Sequence, residues 1–187
     1  MKIRPHFAAA TAVALLLVGA CNKPAEKAAT PTETAAKAAG SDTIASGLGG
    51  ATKFEAAAKA VGLDATLAGP GPYTVLVPTD AALDKLPAGV LDRLMKPASR
   101  AKLTGILSYH ILPGTMLSSD ITKAIDSGGG KAEIPTMGGG SLTATKDGDK
   151  IVLTDVAGGK ATITSADVKR SNGVVHQIDT VLMPAKR

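Results

Sequence analysis

The stretch Ser171–Pro184, SNGVVHQIDTVLMP, limits what this chain can fold into more than any other. Asn172-Gly173 is a turn signal, and it opens into a β-rich run from Val174 to Leu182 that stops at Pro184. A strand this apolar needs cover, so its neighbours must come from the residues before it. His176 lies inside the run, and His110 lies in a second apolar run, Tyr109 to Leu112.

The preceding residues supply helices first and strands later. Thr43 to Gly50 predicts a helical turn. Thr52 and Glu55 have capping-box spacing, with Phe54, Ala58 and Val61 on one helical face and Gly62 as the stop. Asp64 caps a brief turn containing Leu67. Tyr73 to Val77 is a β-rich run closed by Pro78. Thr79 or Asp80 then caps a helix that buries Leu83 and Leu86. Leu91, Leu94 and Met95 mark another short helical face, and Leu103, Ile106 and Leu107 a third that begins near Ser99. Tyr109 to Leu112 follows as a strand. Beyond Ser127 the period changes: a segment around Ile134, then Leu142–Thr145 and Lys150–Thr154 around a hairpin centred on Asp147-Gly148, then a strand over Ala161–Thr164. Helices gathered early and strands late predict an α+β domain, the helices packed on a sheet wedge or sandwich formed largely by the second half.

The N-terminal residues belong to a different problem. Lys2 and Arg4 precede an apolar stretch, Phe7 to Ala20, too short for the roughly 20 residues of a bilayer-spanning helix but suited to a signal peptide. Its end, LVGAC, resembles the lipobox of bacterial lipoproteins, which implies cleavage before Cys21 and acylation there. Cys21 is the only cysteine, so lipid attachment also explains a thiol that can form no internal disulfide. Asn22 in place of aspartate after the cysteine implies the outer membrane, with the domain in the periplasm or at the cell surface. Asn22–Gly40 has no large apolar residue and reads as a tether. The expected organisation is therefore a signal peptide over 1–20, lipidated cysteine and tether over 21–40, and one domain over 41–187.

The full chain carries 21 basic and 16 acidic residues, a net +5 that falls to +3 without Lys2 and Arg4. Scattered cations and few aromatics do not make a nucleic-acid surface. Asp80, Ser108 and His110 can be drawn as a triad, and Asp80 with Asp179 as a carboxylate pair, but no spacing fixes either geometry. GGGSL at 138–142 is not a nucleophile elbow. Two histidines 66 residues apart with no ligand cysteine are a thin basis for zinc. No catalytic residue, metal or cofactor is assigned.

Three ordered segments resemble the motifs of fasciclin domains: TVLVPTDAAL at 74–83, LSYHILPG at 107–114, and SNGVVHQIDTVLMP. The family commonly has Phe where this chain has Leu76 and Leu83. The resemblance implies a non-enzymatic adhesion or matrix-type module in which the tyrosine-histidine segment is implicated, making Tyr109, His110 and Ile111 the interaction candidates. Thr74, Pro78, Thr79, Asp80, Asn172, Gly173, His176 and Asp179 are expected to hold the fold. The expected protein is a monomer fixed to the membrane by its lipid, with an unidentified envelope or extracellular macromolecule as partner. The alternatives are a structural or stress-related envelope protein, and a small-ligand carrier or hydrolase.

Overall fold

The computed structural model describes residues 42–48 and 50–185, so the expected signal peptide, Cys21 and the tether lie outside the described residues. After a 3₁₀ turn at Ile44–Ser46 come α1 (Thr52–Val61), α2 (Leu63–Ala68), β1 (Tyr73–Pro78), α3 (Asp80–Asp84) and α4 (Val90–Leu94). A second 3₁₀ turn, Pro97–Ser99, leads into α5 (Arg100–Tyr109), β2 (Ile111–Pro113) and α6 (Ser118–Ser127). The chain then runs through β3 (Lys131–Pro135), β4 (Ser141–Asp147), β5 (Lys150–Thr154), β6 (Lys160–Arg170) and β7 (Gly173–Ile178). This is the expected α+β arrangement.

The seven strands lie in the order β2-β1-β7-β6-β5-β4-β3. The last strand, β7, takes the cover its composition demands from both sides. It pairs parallel with β1, from Tyr73 opposite Gly173 to Pro78 opposite Ile178, and antiparallel with β6. Every β1 residue after Tyr73 is buried, because successive side chains enter different cores. Val75 and Val77 join Phe54, Leu103, Ile106 and Val175 beneath the helices, whereas Leu76 joins Leu112, Ile121, Leu142, Leu153 and Ile178 on the opposite side.

Strand β6 serves both parts of the sheet by bending. Its register against β7 shifts between Ile163 and Ser165 and again between Ser165 and Val168. Asp167, at φ 60°, sits in this bulge. At the far end, the Met137 N–H donates to the Ile111 carbonyl at 2.8 Å. The loop after β3 therefore touches β2, and the two ends of the strand order meet.

Several local expectations change. Thr52 does not cap α1: its hydroxyl donates to Asp80 at 2.7 Å, and Asp80 also accepts the Lys53 N–H at 3.0 Å. Glu55 instead pairs with Lys59 one turn later. Met95 follows α4 with its side chain partly in solvent instead of joining the inward face with Leu94. Tyr109 ends α5 and His110 follows as its C-cap, so β2 begins only at Ile111. The β4–β5 hairpin closes with Asp147 opposite Lys150, which centres the turn on Gly148-Asp149. Helix α6 was not anticipated, and β6 is far longer than Ala161–Thr164.

Candidate functional site

The tyrosine-histidine segment is built where α5 ends and β2 begins. The helix delivers Tyr109 to one core and ends on His110, while β2 pairing with β1 fixes Ile111 opposite Val75. Tyr109 and His110 have no solvent-accessible surface, and Ile111 is buried as well. In this fold all three side chains are packed inside the domain.

Each holds something in place. The Tyr109 hydroxyl donates to the Ser141 carbonyl at 3.0 Å, and burial pushes the phenol pKa up. Gly138 lies so close to the Tyr109 backbone that a Cβ there would come within 2.5 Å of its nitrogen. A glycine is needed for that approach. The loop between β3 and β4 is consequently drawn over Tyr109. It presents Met137 to solvent, and the turn after β5 presents Val156.

His110 makes two hydrogen bonds that define its tautomer. Its Nδ1–H donates to the Ile106 carbonyl at 2.8 Å, and Nε2 accepts the Leu182 N–H at 3.2 Å. The ring meets Phe54 edge-on with centroids 6.1 Å apart. Burial pushes its pKa down to about 4 against the weaker opposing pull of the Ile106 carbonyl and Asp155. With both nitrogens occupied, the imidazole ties the end of α5 to the C-terminal segment and has no free nitrogen to offer a substrate.

His176 uses the opposite tautomer. Its Nε2–H donates to the Met116 carbonyl at 2.8 Å, while Nδ1 accepts the Asp167 N–H at 3.1 Å. Burial lowers its pKa, outweighing the Met116 carbonyl and the Asp167 charge. The Asp167 carboxylate accepts the Ser118 N–H at 2.7 Å and the Ser118 hydroxyl, holding the start of α6. Ser118, Asp167 and His176 are neighbours, yet the hydroxyl faces the carboxylate and not the imidazole. This is a strut between β6, β7 and α6.

The other motif residues act in the same way. The Thr74 hydroxyl donates to the Gly114 carbonyl and accepts the Met116 N–H, both at 2.8 Å. Pro78 ends β1, and the Thr79 hydroxyl caps α3 through the Ala82 N–H at 3.2 Å. Asp80 caps α1 from a distance, and the Thr52 hydroxyl with the Lys53 N–H lowers its pKa. Asn172 accepts the Ile44 N–H and donates to the Leu67 and Gly69 carbonyls, joining three separate segments. Gly173 approaches the Tyr73 carbonyl so closely that a Cβ would sit 1.9 Å from its oxygen. Asp179 accepts the Thr162 N–H at 2.8 Å. Burial raises its pKa, but that bond, the Thr180 hydroxyl and Lys85 together bring it down.

Sequence reasoning missed Asp155 and Asp167. Asp155, buried in the turn after β5, accepts the N–H groups of Ala157, Gly159 and Met183. The Asp155-Val-Ala-Gly-Gly159 composition carried the signal, since Asp before glycines favours such side-chain turns. Among the described residues, no group of three or more His, Cys, Asp and Glu converges as a metal site. The apolar cavity beneath α1, α3, α4 and α5 holds about 20 Å³, bounded by Phe54, Leu83, Leu94, Ile106 and His110.

These features define an α+β domain whose most distinctive side chains brace its loops and strand junctions. Residues 49–184 match the fasciclin domain family, and the chain belongs to it. Protein sll1483 of Synechocystis sp. is 39% identical over 115 residues, 61% of this chain and 56% of that protein. The cell surface glycolipoprotein MPB83 of Mycobacterium bovis is 35% identical over 114 residues, 61% of this chain and 44% of the relative. Human periostin is 35% identical over 116 residues, 61% of this chain but 12% of periostin. The structure of a FAS1 domain pair from the insect cell adhesion molecule fasciclin I superposes with a TM-score of 0.53 at 27% identity, covering 71% of this chain and 45% of that one. The chain spans about half the length of the first curated relatives it matches.

Proposed function

We propose that this protein is a non-enzymatic binding module of the cell envelope, anchored through a lipid on Cys21 and engaged in adhesion or matrix-type contact. The observation that carries this reading is the family match across the domain, together with similarity to a cell surface glycolipoprotein and a cell adhesion molecule. In this reading residues 1–20 are a signal peptide and 21–40 a tether. The domain over 41–187 faces the periplasm or the exterior of the outer membrane.

Contact is made at the loops that roof Tyr109, through exposed Met137 and Val156. The buried Tyr109, His110 and Ile111 act indirectly by fixing that roof. Crosslinking pull-down from intact envelopes tests the site. A saturable partner should be captured by the wild type and lost with Met137→Asp/Val156→Asp, provided circular dichroism shows the variant folded. Capture unchanged by the double substitution would place contact elsewhere, and no saturable partner would favour a structural envelope role. The anchor has its own test: Cys21→Ser should lose the acyl mass and leave the membrane fraction.

A further inference from the structure

The described residues contain 14 basic and 14 acidic side chains, yet the two signs are not evenly mixed. From Val90 to Ser119 there are four cations, Arg93, Lys96, Arg100 and Lys102, and one carboxylate, Asp92. All four are exposed. Among the described residues none of the four has an ion-pair partner, a trait they share with Lys85, Lys131, Lys150, Lys160, Lys169 and Arg170, whereas Lys53, Lys59, Lys123 and Lys146 pair with Asp84, Glu55, Asp120 and Asp126. The segment forms the elbow between α4 and α5, turned by Pro97 at the start of the second 3₁₀ turn.

A solvated charged face explains isolated lysines, but this elbow has a second property. Met95, between Arg93 and Lys96, is one of three large apolar side chains on the described surface that are exposed. Lys96 and Arg100 border the same shallow groove of about 90 Å³, which Val61, Leu94 and Leu103 help to line. Met95, Lys96 and Arg100 share this groove, with Arg93 nearby in sequence, and the cation excess over the single carboxylate Asp92 matches the chemistry of an anionic bilayer. Cations meet phosphate headgroups while a flexible thioether enters the interfacial layer.

We infer that the α4–α5 elbow docks the domain onto an anionic phospholipid surface, with Arg93, Lys96 and Arg100 as headgroup contacts and Met95 as the inserted tip. The inference rests on the proposed lipid anchor only for local concentration. A tether of 19 residues reaches at most about 60 Å, so an anchored domain remains close to headgroups and a weak patch suffices. Docking then limits how the opposite surfaces of the domain are presented.

The test uses the full chain with a solvatochromic dye on Met95→Cys, compared with the same dye on Asp149→Cys at the β4–β5 hairpin tip. Each is mixed with phosphatidylcholine vesicles with and without phosphatidylglycerol. The expected result is a blue shift at position 95 alone, only in anionic vesicles, reversed as salt shortens the screening length from about 8 Å to about 3 Å. Each cation near such a surface contributes about fivefold, so Arg93→Gln/Lys96→Gln/Arg100→Gln should weaken docking about a hundredfold. Equal emission in both vesicle types, or an equal shift at position 149, overturns the inference. A shift produced by dextran sulfate and by neither vesicle overturns it in favour of an acidic polymer. Acyl mass at Cys21 and vesicle flotation report the anchor separately, so failure of docking and failure of the anchor are distinguishable.

Discussion

Both nitrogens of His110 are committed in its neutral form, so a second proton on the ring has no acceptor and would face the Leu182 N–H. Its folded pKa of about 4 lies below the ordinary 6.5. Between those values the unfolded chain binds a proton that the folded chain does not, and stability falls as pH drops through that window. Above the window the contribution is fully present; below it no further loss comes from this residue. The difference corresponds to about 3 kcal/mol. His176, also lowered by burial, acts in the same direction. His110→Ala should cost about 2 to 4 kcal/mol at pH 7 through lost packing and an unpaired Leu182 N–H, and the variant should lose less on acidification than the wild type. Urea denaturation at pH 7 and pH 4.5 measures both quantities. Parallel losses in the two proteins would remove His110 as the source of the pH dependence.

At the scale of elements, the parallel pairing of β1 with β7 depends on the closeness of Tyr73 and Gly173. Gly173→Ala forces a methyl group against the Tyr73 carbonyl and should destabilise by at least about 3 kcal/mol. Gly148→Ala is the comparison, because the same methyl group at that hairpin meets open space and carries only the strain of φ 59°, about 1 kcal/mol. Equal denaturation midpoints for the two variants would contradict this account. Strand β7 was legible because Asn172-Gly173 and a long apolar run are both local signals, and α1 was legible from its apolar spacing and Gly62. The segment Tyr109–Leu112 misled because a buried helix end and a buried strand share one composition; which residue begins β2 is decided by its pairing with β1. The Asp80 cap on α1 joins residues nearly thirty positions apart. Asp167 holds Ser118 from still farther along the chain. No local pattern encodes either contact. The burial of Tyr109, His110 and Ile111 was least legible, since an apolar Tyr-His-Ile sequence does not state which way it faces.

A smaller packing adjustment follows from the helices above β1. Leu83 borders the roughly 20 Å³ apolar cavity at a position where the family commonly carries Phe. The missing ring volume is comparable with the space present. At about 24 cal/mol per Å³, filling it is worth about 0.5 kcal/mol, so Leu83→Phe should raise stability by roughly that amount. The measurement is the urea midpoint at constant slope. A loss above about 1 kcal/mol would show that the ring is overpacked and that the helices have already closed around leucine.

For the whole molecule, the two apolar clusters are not independent layers, because β1 is a wall of both. Val75 and Val77 face one cluster and Leu76 the other, while β7 contributes Val175 to the first and Ile178 to the second. Losing either cluster would expose the far side of both central strands, so neither has a stable half left behind. The expected behaviour is a single cooperative transition. The chain has no tryptophan and two tyrosines, and these divide the labour. Tyr73 packs against the helix-side cluster and Tyr109 belongs to the other. In Tyr109→Phe the remaining tyrosine emission reports the first cluster, and in Tyr73→Phe it reports the second. Within each variant, tyrosine emission and far-ultraviolet circular dichroism should trace the same urea curve, even though the variants differ in midpoint. A tyrosine transition that precedes the loss of backbone structure in either variant would show that its cluster melts alone. That result would make the strands between the clusters a boundary and not a shared wall.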